Sequence, residues 1–185
     1  MRILSNDMNN DSLILVDDRN RALGTAGKET IHRRGMLHRA FSIFLLDAQG
    51  RLLLQKRHFD KYHSGTLWAN SCCGHPRPRM KTISEARRRL KEELGISAAL
   101  KFGFLARYQT KLDRGITENE IVYVYFGKSD LTPDSDPREV TDIKYASLPD
   151  LEKMIAREPN HFTYWLRIYI INYKQELVRC WGALQ

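Results

Sequence analysis

The segment 118–127 constrains the fold of this chain more than any other part of the sequence. Its alternate positions form two apolar sets, Ile121, Tyr123 and Tyr125 against Val122, Val124 and Phe126. A strand that is apolar on both faces belongs in the middle of a sheet, because neither face can be left in water. The sequence therefore predicts a central sheet that is covered on both sides.

Other segments supply strands and helices in an irregular order. Strands are predicted at 13–16, 39–46, 51–57, 67–73, 101–110 and 143–146, with a hairpin turn at 47–50. Helices are predicted at 82–94, 148–157 and 162–181. Thr82 or Ser84 is expected to cap the first helix, and Gly95 fits the left-handed position after its end. Because strands and helices do not alternate regularly, the pattern favours an α+β or mixed α/β sandwich over a barrel or a doubly wound sheet.

The length and the absence of internal boundaries indicate a single domain over 1–185. The chain has 185 residues and no internal repeat or Gly/Ser linker. About ten N-terminal residues and the last few C-terminal residues are expected to be flexible. The polar start of the sequence argues against a secretory signal, and no apolar run approaches the roughly 18 residues of a membrane span. Of the three cysteines, Cys72 and Cys73 are adjacent, which favours reduced thiols and a cytoplasmic location.

The net charge indicates an anionic partner without identifying it. Lysine and arginine number 30 and the acidic residues 22, giving a formal charge of +8. The basic residues are spread along the chain and are not gathered in one arm. Nucleic acid, a phosphorylated metabolite and a membrane surface are all compatible with this charge.

Residues that can bind a metal recur at even spacings. Three imidazoles and two carboxylates show this pattern: His32, His38, His75, Glu118 and Glu120. Even spacing allows each pair to share one face of a strand, and Cys73 has the same relation to His75. Such a set suits a divalent ion, with oxygen ligands favouring Mn or Mg and imidazoles favouring Zn or Fe. Each residue alone has an ordinary explanation, such as an inert surface histidine or a packing cysteine.

Two carboxylates, Glu92 and Glu93, lie in the last turn of the helix predicted at 82–94. The helix dipole disfavours anions at that end. A surface salt bridge with Arg88, four residues before Glu92, is one explanation. The other is that a metal or a buried cation holds one of the two carboxylates.

The segment 74–96 resembles the Nudix signature. That signature reads Gly, five residues of any type, Glu, seven residues of any type, and then R-E-apolar-x-E-E-x-G-apolar. The matching positions are Gly74, Arg88, Leu90, Glu92, Glu93, Gly95 and Ile96. Met80 and Arg89 stand where two acidic residues of the signature belong. A Nudix hydrolase is expected to hold its metals on that acidic cluster, so the positive charge of Arg89 argues against hydrolysis.

Three longer blocks resemble the type I isopentenyl diphosphate isomerases, a family built on the Nudix fold. The blocks are LHRAFS at 37–42, LWANSCCGHP at 67–76 and TENE at 117–120, within a resemblance that covers about residues 12–170. The resemblance implies a Nudix-like sandwich, with a central mixed sheet between helices, and the interconversion of isopentenyl and dimethylallyl diphosphate. It also implies Mn²⁺ or Mg²⁺ in a protein site and Mg²⁺ with the substrate diphosphate, without flavin or nicotinamide.

The same resemblance implies roles for individual residues. The family's metal ligands correspond to His32, His38, His75, Glu118 and Glu120. Its catalytic thiol corresponds to Cys73, and its acid/base group on the other side of the substrate to Glu120 with Tyr108. Ligands of the substrate's magnesium correspond to Glu93 and the carbonyl group of Cys73. The diphosphate-binding cations correspond to Lys28, Arg57, Lys61 and Arg89, and the aromatic residue over the hydrocarbon tail to Trp165.

The reaction that the resemblance implies needs residues of these types. Protonating an alkene creates a carbocation-like species, so water must be excluded from the site. The ring faces of Tyr108 and Trp165 can stabilise the positive charge. Cys73 is expected to take or return the second proton, with nearby cations favouring its thiolate.

Two other functions compete with isomerisation. The segment 74–96 suggests a Nudix-type pyrophosphohydrolase acting on a nucleoside diphosphate derivative, and the net charge alone suggests an RNA-binding module. We expect instead a small-molecule isoprenoid diphosphate as the partner, with no nucleic acid or membrane, and a monomeric protein.

Overall fold

The computed structural model describes residues 11–184. The predicted flexible start of the chain, 1–10, and the final residue, 185, lie outside this range. The strands are β1 (Ser12–Val16), β2 (Ala22–Gly27), β3 (His38–Leu46), β4 (Leu52–Arg57), β5 (Trp68–Ala69), β6 (Cys72–Gly74), β7 (Leu100–Lys111), β8 (Thr117–Lys128) and β9 (Val140–Ala146). The helices are α1 (Lys28–Arg34), α2 (Thr82–Leu94), α3 (Leu148–Arg157), α4 (Tyr164–Asn172) and α5 (Lys174–Gly182). None of the helices within 11–184 combines the length and the apolar character needed to cross a membrane.

A mixed sheet forms the centre of the molecule. Strand β8 lies between β3 and β7, parallel to β3 and antiparallel to β7. Strand β3 also pairs antiparallel with β1, β4 and β6, and β4 pairs with β5 and β9. The central position predicted for the segment 118–127 is therefore confirmed.

Alternate side chains of β3 and β8 pack into two separate cores. On one face, Phe44 and Val124 join residues of α3, α4 and α5, including Tyr169. On the other face, Ile43 and Tyr125 join residues of α2. Helices thus cover the sheet on both sides, as the predicted single-domain sandwich requires.

Helix α2 has the predicted bounds but not the predicted cap. Its last residue is followed by Gly95, whose φ of 67° is the left-handed conformation that favours glycine. The N-cap residue is Lys81 and makes no side-chain capping bond, so the expectation for Thr82 or Ser84 is wrong. The buried carboxylate of Glu85 instead accepts hydrogen bonds from Arg77 and fastens the segment after β6 to this helix.

Three other predictions are corrected by tertiary contacts. The segment 67–73 is divided into β5 and β6, because the side chains of Asn70 and Ser71 bond to main-chain carbonyl groups of Ile43 and Leu53. The segment 162–181 is two helices, which meet at Tyr173, whose hydroxyl is tied to the backbone of β7. The hairpin at 47–50 is present, but β4 then leaves β3 to pair with β9.

The short helix α1 was missed, and its presence corrects the placement of two histidines. His32 lies on α1, whereas His38 begins β3, so the two do not share one face of a strand. Gly35, with a φ of 60°, ends the helix between them and turns the chain back toward the sheet. The even spacing of His32 and His38 is therefore not the reason that they meet.

Candidate active site

One cavity of about 560 Å³ brings together most of the predicted functional residues. Its walls include the predicted residues Lys28, Arg57, Lys61, Cys73, His75, Arg89, Glu93, Tyr108, Glu118, Glu120 and Trp165. The remaining two, His32 and His38, are fully buried against Glu118 and His75. All of the candidate residues therefore belong to one site.

Strand register places three of these side chains next to one another. Glu120 on β8 lies opposite His38 on the parallel strand β3 and opposite Tyr108 on the antiparallel strand β7. Glu118 is two residues earlier on β8 and points to the same face. The predicted period-two arrangement of the two glutamates is thus confirmed.

Four residues form a buried cluster of metal-ligand type. One donor atom from each of His32, His38, His75 and Glu118 lies within 4.8 Å of the others. Both ring nitrogens of His32 and Oε2 of Glu118 are buried without a hydrogen-bond partner. Unpaired buried polar atoms are costly, and a divalent cation would satisfy one nitrogen of His32 and Oε2 of Glu118. The donor set fits a divalent cation, and Oε1 of Glu120, 2.8 Å from Nε2 of His75, adjoins it.

Burial and the two carboxylates act in opposite directions on the histidines of the cluster. Nδ1 of His38 donates a hydrogen bond to the carbonyl oxygen of Met36 at 2.9 Å, which leaves Nε2 facing the cluster. Burial would lower the pKa of His38, but Glu120 and Glu118 outweigh it and raise the pKa. Burial lowers the pKa of His75 to about 4, which leaves this imidazole neutral at physiological pH. Burial would raise the pKa of Glu118, but the neighbouring histidines outweigh it and hold the pKa well below its usual value.

The thiol of Cys73 is held by a chain of hydrogen bonds. Sγ donates to Oδ1 of Asn70 at 3.2 Å and lies 3.3 Å from Oγ of Ser42, which is 2.8 Å from the hydroxyl of Tyr169. Burial raises the pKa of Cys73 to about 12, although Ser42, Asn70 and Arg57 act in the opposite direction. In the protein alone the group is a protonated thiol, because burial outweighs the charge of Arg57, which acts in the expected direction, toward the thiolate.

The carboxyl group of Glu120 is paired with Tyr108. The tyrosine hydroxyl donates a hydrogen bond to Oε2 of Glu120, and both side chains are buried. Burial, together with the charge of Glu120, raises the pKa of Tyr108 well above its usual value. The phenol therefore stays protonated and keeps its role as a donor to the carboxylate.

The four cations that are predicted to bind diphosphate line the cavity close enough to repel one another. Burial lowers the pKa of Lys28, and the charges of Arg57 and Arg89 add to the decrease. The pKa of Lys61 is lowered for the same reasons. A bound anion would relieve this repulsion, as expected of a diphosphate site.

The two carboxylates at the end of α2 have different surroundings: a cation holds Glu93, and Glu92 forms a surface salt bridge. Glu93 is buried and accepts hydrogen bonds from Arg89 and from Nε2 of Gln55, the latter at 3.0 Å. Glu92 is exposed and forms a surface ion pair with Arg88 at 2.6 Å. Met80, at the other departure from the Nudix signature, is 47% exposed and does not line the cavity.

Two loop residues of the site were not found by sequence reasoning. Nε2 of His63 lies 2.9 Å from Oε1 of Glu118. Glu139 forms an ion pair with Lys61 and lies 3.3 Å from Arg89. Both residues are in irregular segments, where no periodic pattern signals the direction of a side chain.

Comparison with known proteins agrees with this geometry. The profile of the NUDIX domain matches residues 36–166. A protein of Aromatoleum aromaticum named isopentenyl-diphosphate Delta-isomerase 1 is 46% identical over 162 residues, which are 86% of this chain and 90% of that protein. Isopentenyl-diphosphate Delta-isomerase 2 of the same organism is 45% identical over 156 residues, 84% and 82% of the two chains. The crystal structure of DR0079 from Deinococcus radiodurans has a TM-score of 0.67 at 22% identity, covering 79% of this chain and 89% of that one, and supports the fold alone.

Proposed function

The chain belongs to the isopentenyl-diphosphate Delta-isomerase family of NUDIX domain proteins, and we infer that it interconverts isopentenyl and dimethylallyl diphosphate. The observation that carries this inference is that the Cys73 thiol and the Glu120–Tyr108 pair line the same cavity as four cations. This combination provides two proton-transfer groups and an anion-binding region in one site. It needs no redox cofactor, because the reaction moves protons and leaves the oxidation level of the substrate unchanged.

We propose that Cys73 and Glu120 handle the two protons. One C–H bond forms at an alkene carbon and another breaks two carbons away, so one group donates a proton while the other accepts one. Tyr108 orients the carboxyl group of Glu120 through its hydrogen bond. Trp165, which is buried in the cavity wall, excludes water and can stabilise positive charge with its ring face.

The diphosphate is proposed to bind at Lys28, Arg57, Lys61 and Arg89. Charge-assisted hydrogen bonds to these cations would hold the substrate by the end that does not react and align its hydrocarbon tail. Glu93 and the carbonyl group of Cys73 are proposed to hold the magnesium ion that accompanies the diphosphate. Glu93 and Cys73 line the same cavity as these cations, which supports this position.

A divalent cation, Mn²⁺ or Mg²⁺, is proposed at His32, His38, His75, Glu118 and Glu120. The unpartnered nitrogens of His32 and the free oxygen of Glu118 support this assignment. When bound, the cation would withdraw negative charge from Glu120 and so increase the acidity of its proton.

Deuterium incorporation tests the proposed reaction directly. The purified protein is incubated with isopentenyl diphosphate and Mn²⁺ or Mg²⁺ in heavy water, and the products are followed by NMR. We expect dimethylallyl diphosphate with deuterium at carbon, loss of activity with a chelator and recovery when metal is restored. Release of phosphate or a monophosphate without interconversion of the two isomers would contradict the inference and indicate a hydrolase.

Lys61→Ala is expected to raise KM by about 10- to 100-fold while kcat changes much less, because a charge-assisted hydrogen bond contributes about 1.5–3 kcal/mol. The side chain of Lys61 is 18% exposed and lines the cavity, so its loss should weaken diphosphate binding. Steady-state kinetics separates the two constants. Lys153→Ala is the matched control, since Lys153 is 80% exposed on α3. An unchanged KM in Lys61→Ala would remove this residue from the diphosphate site.

The cellular location, the oligomeric state and the absence of macromolecular partners stay predictions. We propose that it acts in the cytoplasm as a monomer on a free small molecule, without nucleic acid or membrane. The cavity supports the small-molecule part of this proposal, because its cations are gathered around one space of about 560 Å³.

A further inference from the structure

His63 is a buried histidine that the proposed reaction does not use. Its Nε2 lies 2.9 Å from Oε1 of Glu118, and only 9% of its side chain is exposed. Its other nitrogen, Nδ1, is 3.2 Å from Oγ of Ser64. Both ring nitrogens are therefore engaged.

These contacts define which nitrogen of His63 carries the hydrogen. An ionised carboxylate only accepts hydrogen bonds, so Nε2 of His63 is the donor to Glu118. In the neutral ring Nδ1 is then an acceptor, and the hydroxyl of Ser64 can donate to it. Arg57 fixes the same loop by donating to the carbonyl oxygens of His63 and Ser64, at 3.0 and 3.1 Å.

The two carboxylate oxygens of Glu118 have different neighbours, because only one of them contacts His63. Oε1 is occupied by His63, whereas Oε2 lies 3.3 Å from Nε2 of His32 and 3.6 Å from Nε2 of His38. Oε2 has no hydrogen-bond partner. The carboxylate is thus held with one oxygen directed into the histidine cluster.

We propose that His63 is a positioning residue that orients Glu118 for the divalent cation. It is not one of the four residues whose donor atoms lie within 4.8 Å of one another, and its ring centroid is 6.2 Å from that of His32. Outer residues of this kind fix the orientation of a ligand and so favour binding of the ion. The proposal rests on the metal site proposed above but not on isomerisation, since metal binding can be measured without substrate.

His63 also contacts the aromatic wall of the cavity. Its ring meets that of Trp165 edge to face, with centroids 5.8 Å apart. One imidazole therefore bridges the carboxylate of the metal site and the residue proposed to cover the hydrocarbon tail. Loss of this ring contact should affect KM, whereas loss of the Nε2 hydrogen bond should affect metal affinity.

Calorimetric titration of the metal-stripped protein with Mn²⁺ tests the proposal. We expect His63→Leu to weaken Mn²⁺ binding by about 10- to 100-fold, the usual cost of removing such an outer residue. His63→Gln keeps an N–H donor near the position of Nε2 and should restore most of the affinity. His161→Leu is the control, because His161 makes an equivalent pair with Glu158 at 3.0 Å on the surface and should leave the affinity unchanged.

Two results would overturn the proposal. An unchanged affinity in His63→Leu would show that Glu118 needs no positioning by this residue. An equal loss in His63→Gln and His63→Leu would show that the imidazole itself is required. If His63→Leu does not fold by circular dichroism, Ser64→Ala provides the test: removing the hydroxyl bonded to Nδ1 should weaken Mn²⁺ binding, and unchanged affinity would contradict the proposal.

Discussion

Cys73→Ala is expected to lower kcat by about 10²–10⁴-fold, the usual contribution of a group that transfers a proton in the rate-limiting step. The variant should keep its fold, because the thiol occupies a small volume and its partners Ser42 and Asn70 retain other hydrogen bonds. Stopped assays at saturating substrate and metal measure kcat, and circular dichroism checks the fold. Turnover close to that of the unchanged protein would exclude the thiol from the reaction.

The adjacent cysteine provides the matched control. Cys72 is fully buried in the core beneath α2 and does not line the cavity. Cys72→Ala should therefore lower the melting temperature slightly and leave kcat nearly unchanged. If Cys72→Ala abolished turnover and Cys73→Ala did not, the proposed register of the catalytic strand would be wrong by one residue.

Glu120→Gln is expected to reduce kcat by a similar factor for a different reason. The amide has nearly the same shape, but it cannot release or accept a proton as a carboxyl group does. It also removes negative charge beside His38 and His75, so Mn²⁺ affinity should fall as well.

A metal titration separates the two effects of Glu120→Gln. If the variant stays inactive when Mn²⁺ is saturating, the loss lies in proton transfer. Recovery of full activity at high Mn²⁺ would restrict Glu120 to metal binding and remove it from the acid/base step. Glu158→Gln, at an exposed surface position, is the control for the amide substitution.

The regular parts of the fold could be predicted from the sequence because their patterns are local. The two-sided apolar pattern of β8 and the helical spacing of Ala86, Leu90 and Leu94 depend only on neighbouring residues. The pairing of β3 with β8 could not be predicted in this way, because it joins segments that are distant in the chain. The boundary at Tyr173 likewise depends on a contact with β7.

The residues of the candidate site also divide into those that the sequence predicts and those whose positions depend on distant contacts. Cys73 and Glu120 could be identified because they lie within distinctive sequence blocks, and both line the cavity. His32 was predicted from its even spacing to His38 and from the family resemblance, but its place on a seven-residue helix was missed. His63 gave no signal, because the direction of a side chain in an irregular loop is set by contacts such as those of Arg57.

Arg89 explains how the site departs from the acidic Nudix pattern. The guanidinium group pairs with both Glu92 and Glu93, so the end of α2 is largely charge-balanced. The buried metal-type donors lie elsewhere, on α1, β3, β8 and the segment after β6. The expectation that Arg89 disfavours a metal cluster on this helix is consistent with that arrangement.

The parallel pairing of β3 with β8 has a consequence for how the protein is made. His38 and Glu120 become neighbours only when two distant segments close a long loop, and such non-local contacts form slowly. A nascent chain that has not yet released β8 lacks Glu118 and Glu120, and Trp165 emerges later still. Recovery of catalysis after dilution from denaturant should therefore mark a late stage of folding, since an N-terminal piece that ends before Trp165 lacks part of the site.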